Sequence, residues 1–264
     1  MRIALTGATG RVGSRLLPRL LARGDEVTAL VRANPERVQG ATTIVGDIND
    51  ERAIKELVDG ADVVLHVAAA LRTDTNFEDV NVNGTRKLAE ATNAKFVYVS
   101  TNLVYPSGLG RPATEDDPTS TDPAWGGEYA KTKAQAEKVL LDTREATIVR
   151  LSFVYGEGDP HLAESLRWAS TWPADHRLHM IHHADVAQAL FLAMDGKPGI
   201  YNAADDSPMT AVELHQLNGV RHPGTSSAEP DAWHGIVSTN RIQRELGFRP
   251  RFPSAWSALH AGAL

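Results

Sequence analysis

No cysteine occurs in the 264 residues, which excludes disulfides, iron–sulfur clusters, thiolate zinc sites and a cysteine nucleophile. Long hydrophobic runs are missing too. There is no stretch of about 18 apolar residues, and Met1-Arg2-Ile3-Ala4-Leu5-Thr6-Gly7 leads into a strand and a glycine turn without the apolar segment of a signal peptide. A cytoplasmic, unanchored protein is expected. Positive charge is in deficit, 27 basic against 33 acidic side chains for a net charge of −6, which argues against nucleic acid and anionic membranes as partners. Internal repeats and low-complexity runs are absent. What is present, 42% hydrophobic and 23% charged residues, fits an ordinary globular chain. At roughly 100–200 residues per domain, the length allows one large domain or one and a half.

Short apolar runs at 2–6, 26–31, 42–45, 62–67, 95–100 and 147–151 alternate with helix-period segments at 12–21, 54–58, 80–91 and 129–141. Alternation of this kind builds βαβ units around a buried parallel sheet. Gly24 stands where a helix C-cap glycine belongs and Asp50 where an N-cap belongs. After residue 156 the rhythm gives way to short helices, a brief strand at 200–203 and loops, with 218–233 the best candidate for a mobile loop. The expected fold is a Rossmann-type doubly wound parallel α/β sheet at 1–156, carrying a small substrate-binding lobe at 157–264 that is packed on it and not independent.

Thr6-Gly7-Ala8-Thr9-Gly10-Arg11-Val12-Gly13 follows a strand and opens a helix, the setting a dinucleotide fingerprint requires. Gly7 permits the tight turn, Gly10 lets the backbone approach a pyrophosphate, and Gly13 lets the helix pack close to the sheet, while free N–H groups and the helix dipole favour phosphate. Thr9, Arg11 and Val12 complete the expected cradle. The alternative is a sharp turn without a ligand. The second strand ends Leu30-Val31-Arg32-Ala33-Asn34-Pro35, with no carboxylate for a ribose 2′-OH and Arg32 available for a 2′-phosphate, so NADP(H) is expected rather than NAD. Asp47 and Ile48 suit an adenine pocket, and Ala68 after the fourth strand leaves room for ribose. His66 beside it reads equally well as a hydrogen-bonded strand-end histidine.

Tyr129 and Lys133 stand four apart at the start of a helix, hence on one face, and Ser100-Thr101 ends the fifth strand about thirty residues upstream. Hydride transfer to a carbonyl asks for this set: a phenol as acid, a cation that lowers its pKa, and a hydroxyl that holds the oxygen. With these residues in view, the chain resembles an extended short-chain dehydrogenase/reductase, of the NAD(P)-dependent epimerase/dehydratase and dihydroflavonol-reductase-like group. Asn81-Val82-Asn83-Gly84-Thr85, Val104-Tyr105, Arg150 with Val154-Tyr155-Gly156, His182 with Asp185, Tyr201-Asn202-Ala203 and Leu246-Gly247-Phe248 are similar to family landmarks. The resemblance implies Tyr129 as general acid, Lys133 on the nicotinamide ribose, and Thr101 at the Ser/Thr position, with Ser100 a supporting neighbour. It also implies a homodimer through the helices at 80–91 and 129–141.

Two departures shape the expected substrate. Phe153 replaces the Asn that contacts substrate in nucleotide-sugar members, and those members are longer, so the shortfall falls after residue 156. With Trp125, Trp168, Trp172, Leu103, Tyr105 and Met180, Phe153 suggests an apolar pocket. His176, His179, His182 and His183 come without a carboxylate in helical i, i+4 register, and the family landmark accounts for His182, so no metal is expected. The resulting expectation is an NADP(H)-dependent carbonyl reductase for a small apolar or polyketide-like ketone or aldehyde. A nucleotide-sugar epimerase, dehydratase or 4-keto reductase is the alternative, and a non-catalytic NAD(P)-binding regulator the second.

Overall fold

The computed structural model describes residues 1–71, 76–120, 126–224 and 231–264. Its first half alternates β1 (Arg2–Thr6), α1 (Arg11–Ala22), β2 (Glu26–Val31), β3 (Thr42–Val45), α2 (Glu51–Val58), β4 (Val63–His66), α3 (Gly84–Glu90), β5 (Lys95–Thr101), α4 (Gly127–Thr143) and β6 (Thr147–Leu151). Then come β7 (Phe153–Tyr155), α5 (His161–Glu164), α6 (Leu166–Ala169), β8 (Arg177–Leu178), β9 (Met180–His182), α7 (His183–Asp195), β10 (Gly199–Ala203), β11 (Met209–Thr210), α8 (Ala211–Leu217), α9 (Asn240–Leu246) and α10 (Ala255–His260).

Seven parallel strands form the main sheet in the order β10-β6-β5-β4-β1-β2-β3. Side chains alternate across it, so the strands must be apolar on both faces, which is why they read as unbroken apolar runs. Ile3, Leu5, Val97 and Val149 meet Leu16 and Leu20 of α1 and Leu190 of α7 on one face. Ala4, Val64, Phe96 and Ile148 meet Ile54 and Leu57 of α2 and Leu140 of α4 on the other. The doubly wound fold read from the sequence is therefore the one observed.

Caps set the lengths of the helices. Asp50 accepts from the N–H groups of Arg52 and Ala53 and starts α2, while Gly24, at φ +85°, lies just past the end of α1. Ahead of α3, residues Glu78–Asn83 form a wider π-turn. Its Asn81 side chain accepts from Ala70 N–H at 2.7 Å and donates to Thr132 Oγ1 at 2.9 Å, which ties the loop after β4 to α4.

Beyond β6 the chain builds a second core from Tyr155, Leu162, Met180, Leu214, Phe252 and Ala258, and also lends β10 to the main sheet. Strands β7, β8, β9 and β11 are two or three residues long, too short to show a period in the sequence. Part of the loop expected at 218–233, residues 225–230, lies outside the described residues, as does Trp125. Among the described residues no helix is long and apolar enough to cross a membrane.

Candidate active site

Strand order reverses between β1 and β4, and a doubly wound sheet opens a ligand crevice at the carboxyl ends of the strands there. The geometry of the two strand ends makes it. Gly7, at φ +79°, passes so close to β4 that an added Cβ would lie 2.6 Å from Ala68 N, and a Cβ on Gly13 would lie 2.0 Å from Gly7 O. No side chain of any size fits either place. Gly10 differs, because its Cβ would meet only Gly7 O, at 3.3 Å. Protein packing alone therefore does not require a glycine there, whereas close approach of a ligand to the turn would. The start of α1 has no side-chain cap and no acidic residue in its first turn, which leaves N–H groups directed at the crevice.

The floor beside the turn is fixed by a buried hydrogen-bond chain. Ala68 N–H donates to Thr6 Oγ1 (3.2 Å), whose hydroxyl lies 2.6 Å from His66 Nδ1. His66 Nε2 lies 2.9 Å from Thr85 Oγ1, which itself donates to Asn81 O at 2.6 Å. That sequence of donors puts the imidazole proton on Nε2. Burial, with the Lys133 charge adding to it, pushes the His66 pKa down to about 3, so the ring stays neutral. Of its two readings, the hydrogen-bonded strand-end residue is the one the structure shows.

One cleft of about 1360 Å³ receives every catalytic and cofactor-binding residue expected from the sequence: Gly7, Thr9, Gly10, Arg11, Val12, Gly13, Arg32, Asp47, Ile48, Ala68, Thr101, Tyr129 and Lys133. Two left-handed glycines, Gly126 and Gly127, begin α4, so Tyr129 falls in its first turn, half-buried on the cleft wall. Lys133 is fully buried one turn on. Its Nζ donates to Val99 O at 2.6 Å and lies 3.9 Å from the centre of the Tyr98 ring. Burial holds its pKa down at about 7 against the opposing pull of Glu137. Thr101 ends β5 and accepts from Leu103 N–H at 3.3 Å. Ser100 Oγ and Ser152 Oγ, both buried on the cleft lining, have no hydrogen-bond partner among the described residues.

Several landmarks turn out to be framework. Arg150 pairs with Glu137 through contacts of 2.5 and 3.1 Å and donates to Tyr105 Oη at 2.7 Å, and Tyr105 donates to Asn202 at 2.8 Å. His182 caps α7 and bonds Ala263 O, and Asp185 accepts from the N–H groups of Arg251 and Phe252. Tyr105 and Met180, expected at the pocket, are thus interior: the first lies in the Arg150 network, the second in the core of the C-terminal lobe. Leu103, Phe153, Trp168 and Trp172 do face the cleft.

Arg11 lines the cleft, but its guanidinium is taken by Asp159 (2.6 Å) and Glu164 (2.7 Å). Asp159 also receives His183 Nε2 at 2.9 Å, and Arg15 and Arg19 bond Glu157 of the same loop. Sequence reasoning missed this clamp, which joins residues some 150 positions apart and leaves no local signal. It also missed Ser152, His161 and Arg177 on the cleft wall.

Residues 3–204 match the family described as NAD dependent epimerase/dehydratase family. The chain belongs to that family. A 4-hydroxy-2-methyl-3-oxo-4-farnesyl-3,4-dihydroquinoline-1-oxide ketoreductase of Stigmatella aurantiaca is 33% identical over 99% of this chain and 80% of its own. The dTDP-D-glucose 4,6-dehydratase of Mus musculus is 30% identical over 98% and 82%. The solved Thermus thermophilus UDP-glucose 4-epimerase in complex with NAD is 25% identical, with a TM-score of 0.75, over 95% of this chain and 94% of that one.

These relatives correct the expected cofactor, substrate and activity. The NADP(H) expectation is overturned by the solved relative, which holds NAD. Arg32 misled because it is a single exposed guanidinium, and Arg11, the other base within reach, is spent on Asp159 and Glu164. The Asp47 carboxylate, exposed on the same lining, would also oppose a phosphate dianion. The expected NADP-dependent carbonyl reductase of a small apolar ketone or aldehyde falls with it, overturned by the relatives named for nucleotide sugars, among them the Mus musculus dTDP-D-glucose 4,6-dehydratase and the Thermus thermophilus UDP-glucose 4-epimerase. Nor does length separate this chain from nucleotide-sugar members, since the match covers 94% of the UDP-glucose 4-epimerase chain.

Proposed function

We propose that the protein is an NAD-dependent oxidoreductase of nucleoside-diphosphate sugars, catalysing the hydride step at a sugar carbon that epimerases, dehydratases and 4-keto reductases share. The cleft carries the proposal. Single-ligand pockets usually enclose about 300–1,000 Å³, and this one, at about 1360 Å³, continues past Tyr129 to Trp168, Trp172 and Arg177. That is space for a dinucleotide and a second large ligand end to end. Arg177 supplies a guanidinium suited to a diphosphate, steadied by Ala232 O at 3.1 Å and by the Trp233 ring at 5.0 Å.

The residues fit NAD. In this proposal the N–H groups of Arg11, Val12 and Gly13 hold the pyrophosphate, with Gly7 and Gly10 shaping the turn, where Gly10 N–H donates to Gly7 O at 3.0 Å, and Thr9 beside it. Asp47 and Ile48 receive the adenine and Ala68 leaves room for a ribose. Bound NAD supplies a carbon that accepts or returns hydride. Tyr129 takes the proton from the sugar hydroxyl as the carbon is oxidised and returns it on reduction. Lys133 bonds the nicotinamide ribose and favours the ionised phenol, and Thr101 aligns the sugar oxygen. Residues 1–156 then serve mainly the cofactor and 157–264 the sugar nucleotide, although the latter also supply β10.

Calorimetric titration of the NAD-loaded protein with UDP and dTDP tests the reading, which expects micromolar to millimolar binding of at least one, weakened by Arg177→Ala. Absence of nucleotide binding together with steady turnover of a plain aromatic ketone would overturn it.

A further inference from the structure

We propose that Asp159 is a positioning residue that couples the two ends of the cleft, so that a cofactor seated on the glycine turn sets the aromatic wall against which the second ligand binds. The inference takes that second ligand, a nucleoside-diphosphate sugar, from the reading above and adds how its binding depends on the cofactor.

Helix α1 presents Arg11, Arg15 and Arg19 at intervals of four, hence on one face, and all three reach the loop after β7. Arg19 pairs with the Glu157 carboxylate, and Arg15 donates to Glu157 O at 3.1 Å. The loop does not hold its shape by itself. Gly156, Glu157 and Gly158 follow one another at φ +98°, +57° and +70°, and Glu157 is a non-glycine residue in the left-handed region, which persists only where surrounding contacts impose it. Those contacts come from α1 and from Ala263 O, which accepts Glu157 N–H at 2.9 Å.

Asp159 comes next, its side chain only 1% exposed. Its Oδ1 accepts from Arg11 Nη1 at 2.6 Å and from His161 N–H at 3.0 Å, while its Oδ2 lies 2.9 Å from His183 Nε2. One carboxylate thus joins the first residues of α1, α5 and α7. From α5 the link reaches the wall directly, because the His161 ring stacks on Phe153 at 4.1 Å and Phe153 meets Trp168 of α6 edge-on at 5.8 Å. Glu164, the last residue of α5, takes the other side of the Arg11 guanidinium at 2.7 Å.

The cofactor acts on the opposite end of this link. The start of α1 has no side-chain cap, and a pyrophosphate on the turn supplies one. Fixing Arg11 in this way fixes both carboxylates that pin α5. Coupling between two ligands is reciprocal, so the second ligand raises cofactor affinity by the factor by which the cofactor raises its own.

Hydrogen exchange read by mass spectrometry, with and without saturating NAD, tests the link in the absence of a second ligand. In the wild type NAD is expected to slow exchange in residues 157–169 by about fivefold or more. Asp159→Asn, which keeps the shape and removes the charge, should lose that slowing while residues 11–22 stay protected. Should this variant not fold, Glu164→Gln, at a partly exposed carboxylate, is expected to at least halve the slowing, since Arg11 then keeps one of its two carboxylates. No slowing in the wild type, or undiminished slowing in the variant, would overturn the inference; so would faster exchange in Asp159→Asn by the same factor with and without NAD, the mark of a purely structural role. Calorimetric titration with UDP and dTDP adds the second ligand: NAD should raise the affinity of whichever binds by about fivefold or more in the wild type and by less than about twofold in Asp159→Asn. An equal factor in both proteins would overturn the inference and leave the nucleotide-sugar reading standing. Failure of both nucleotides to bind would overturn that reading, and the exchange comparison would still decide the role of Asp159.

Discussion

Glu137→Ala removes one half of a buried ion pair and should be costly in a calculable way. Both side chains of the Arg150–Glu137 pair are 3% exposed, and three contacts of 2.5 to 3.1 Å join them. After the substitution the guanidinium keeps Tyr105 Oη as its described side-chain partner and has no carboxylate. Stranding a buried charge in this manner costs about 3–5 kcal/mol, out of a total stability of about 5–15 kcal/mol. For a chain of 264 residues, an unfolding entropy near 2.1 cal/mol/K per residue turns a 4 kcal/mol loss into a fall in Tm of about 7 °C. Thermal unfolding followed by circular dichroism measures it directly. The double substitution Glu137→Met with Arg150→Met should recover most of the loss, because no charge is then left unpaired. A second effect reaches the site: Glu137 raises the Lys133 pKa, so in any Glu137 variant that folds, Lys133 should lose its proton at a lower pH than about 7. A Tm within 1 °C of wild type for Glu137→Ala, or a double variant weaker than the single, would refute the reasoning.

Three further outcomes follow from other parts of the molecule. Gly10→Ala should keep Tm within about 2 °C, since its Cβ needs only a slight shift from Gly7 O, yet weaken NAD binding at least tenfold; Gly13→Ala, whose Cβ would fall 2.0 Å from Gly7 O, should lose stability and NAD binding together. Arg32→Ala should change NAD affinity less than threefold by titration, because Arg32 is exposed and NAD has no 2′-phosphate to meet it. Burial lowers the pKa of His66 to about 3 and of His179, His183 and His234 to about 4. The unfolded chain therefore binds more protons than the folded one below pH 6.5, and the stability present above that pH is lost as pH falls towards 4, at up to about 1.4 kcal/mol per pH unit for each histidine. Urea midpoints at pH 7.5 and 5.5 measure the slope, and equal midpoints would contradict neutral buried histidines.

The cofactor half was legible because its signals are local. Strands buried on both faces read as apolar runs, Gly7 and Gly13 mark backbone contacts that admit no side chain, and the i, i+4 spacing places Tyr129 and Lys133 on one helix face. Features that depend on distant partners were not legible. Arg11 looks free for a phosphate until the fold brings Asp159 and Glu164 to it, and Tyr105 looks like a pocket residue until Arg150 and Asn202 enclose it. Arg32 does not decide the cofactor, since an exposed guanidinium at a strand end has no intrinsic partner. Phe153 lines the cleft as its place after the sixth strand suggests, but one ring on a wall does not define a whole ligand.

The most direct test of the chemistry is absorbance at 340 nm when NAD-loaded protein is mixed with a dTDP- or UDP-linked hexose or deoxyhexose. Hydride transfer from the sugar carbon should give a nicotinamide signal that appears with the wild type and is at least a hundredfold slower in Tyr129→Phe. No signal with any nucleotide sugar, with NADPH instead consumed by a simple ketone at the same rate in wild type and Tyr129→Phe, would contradict both the substrate class and the assigned proton carrier.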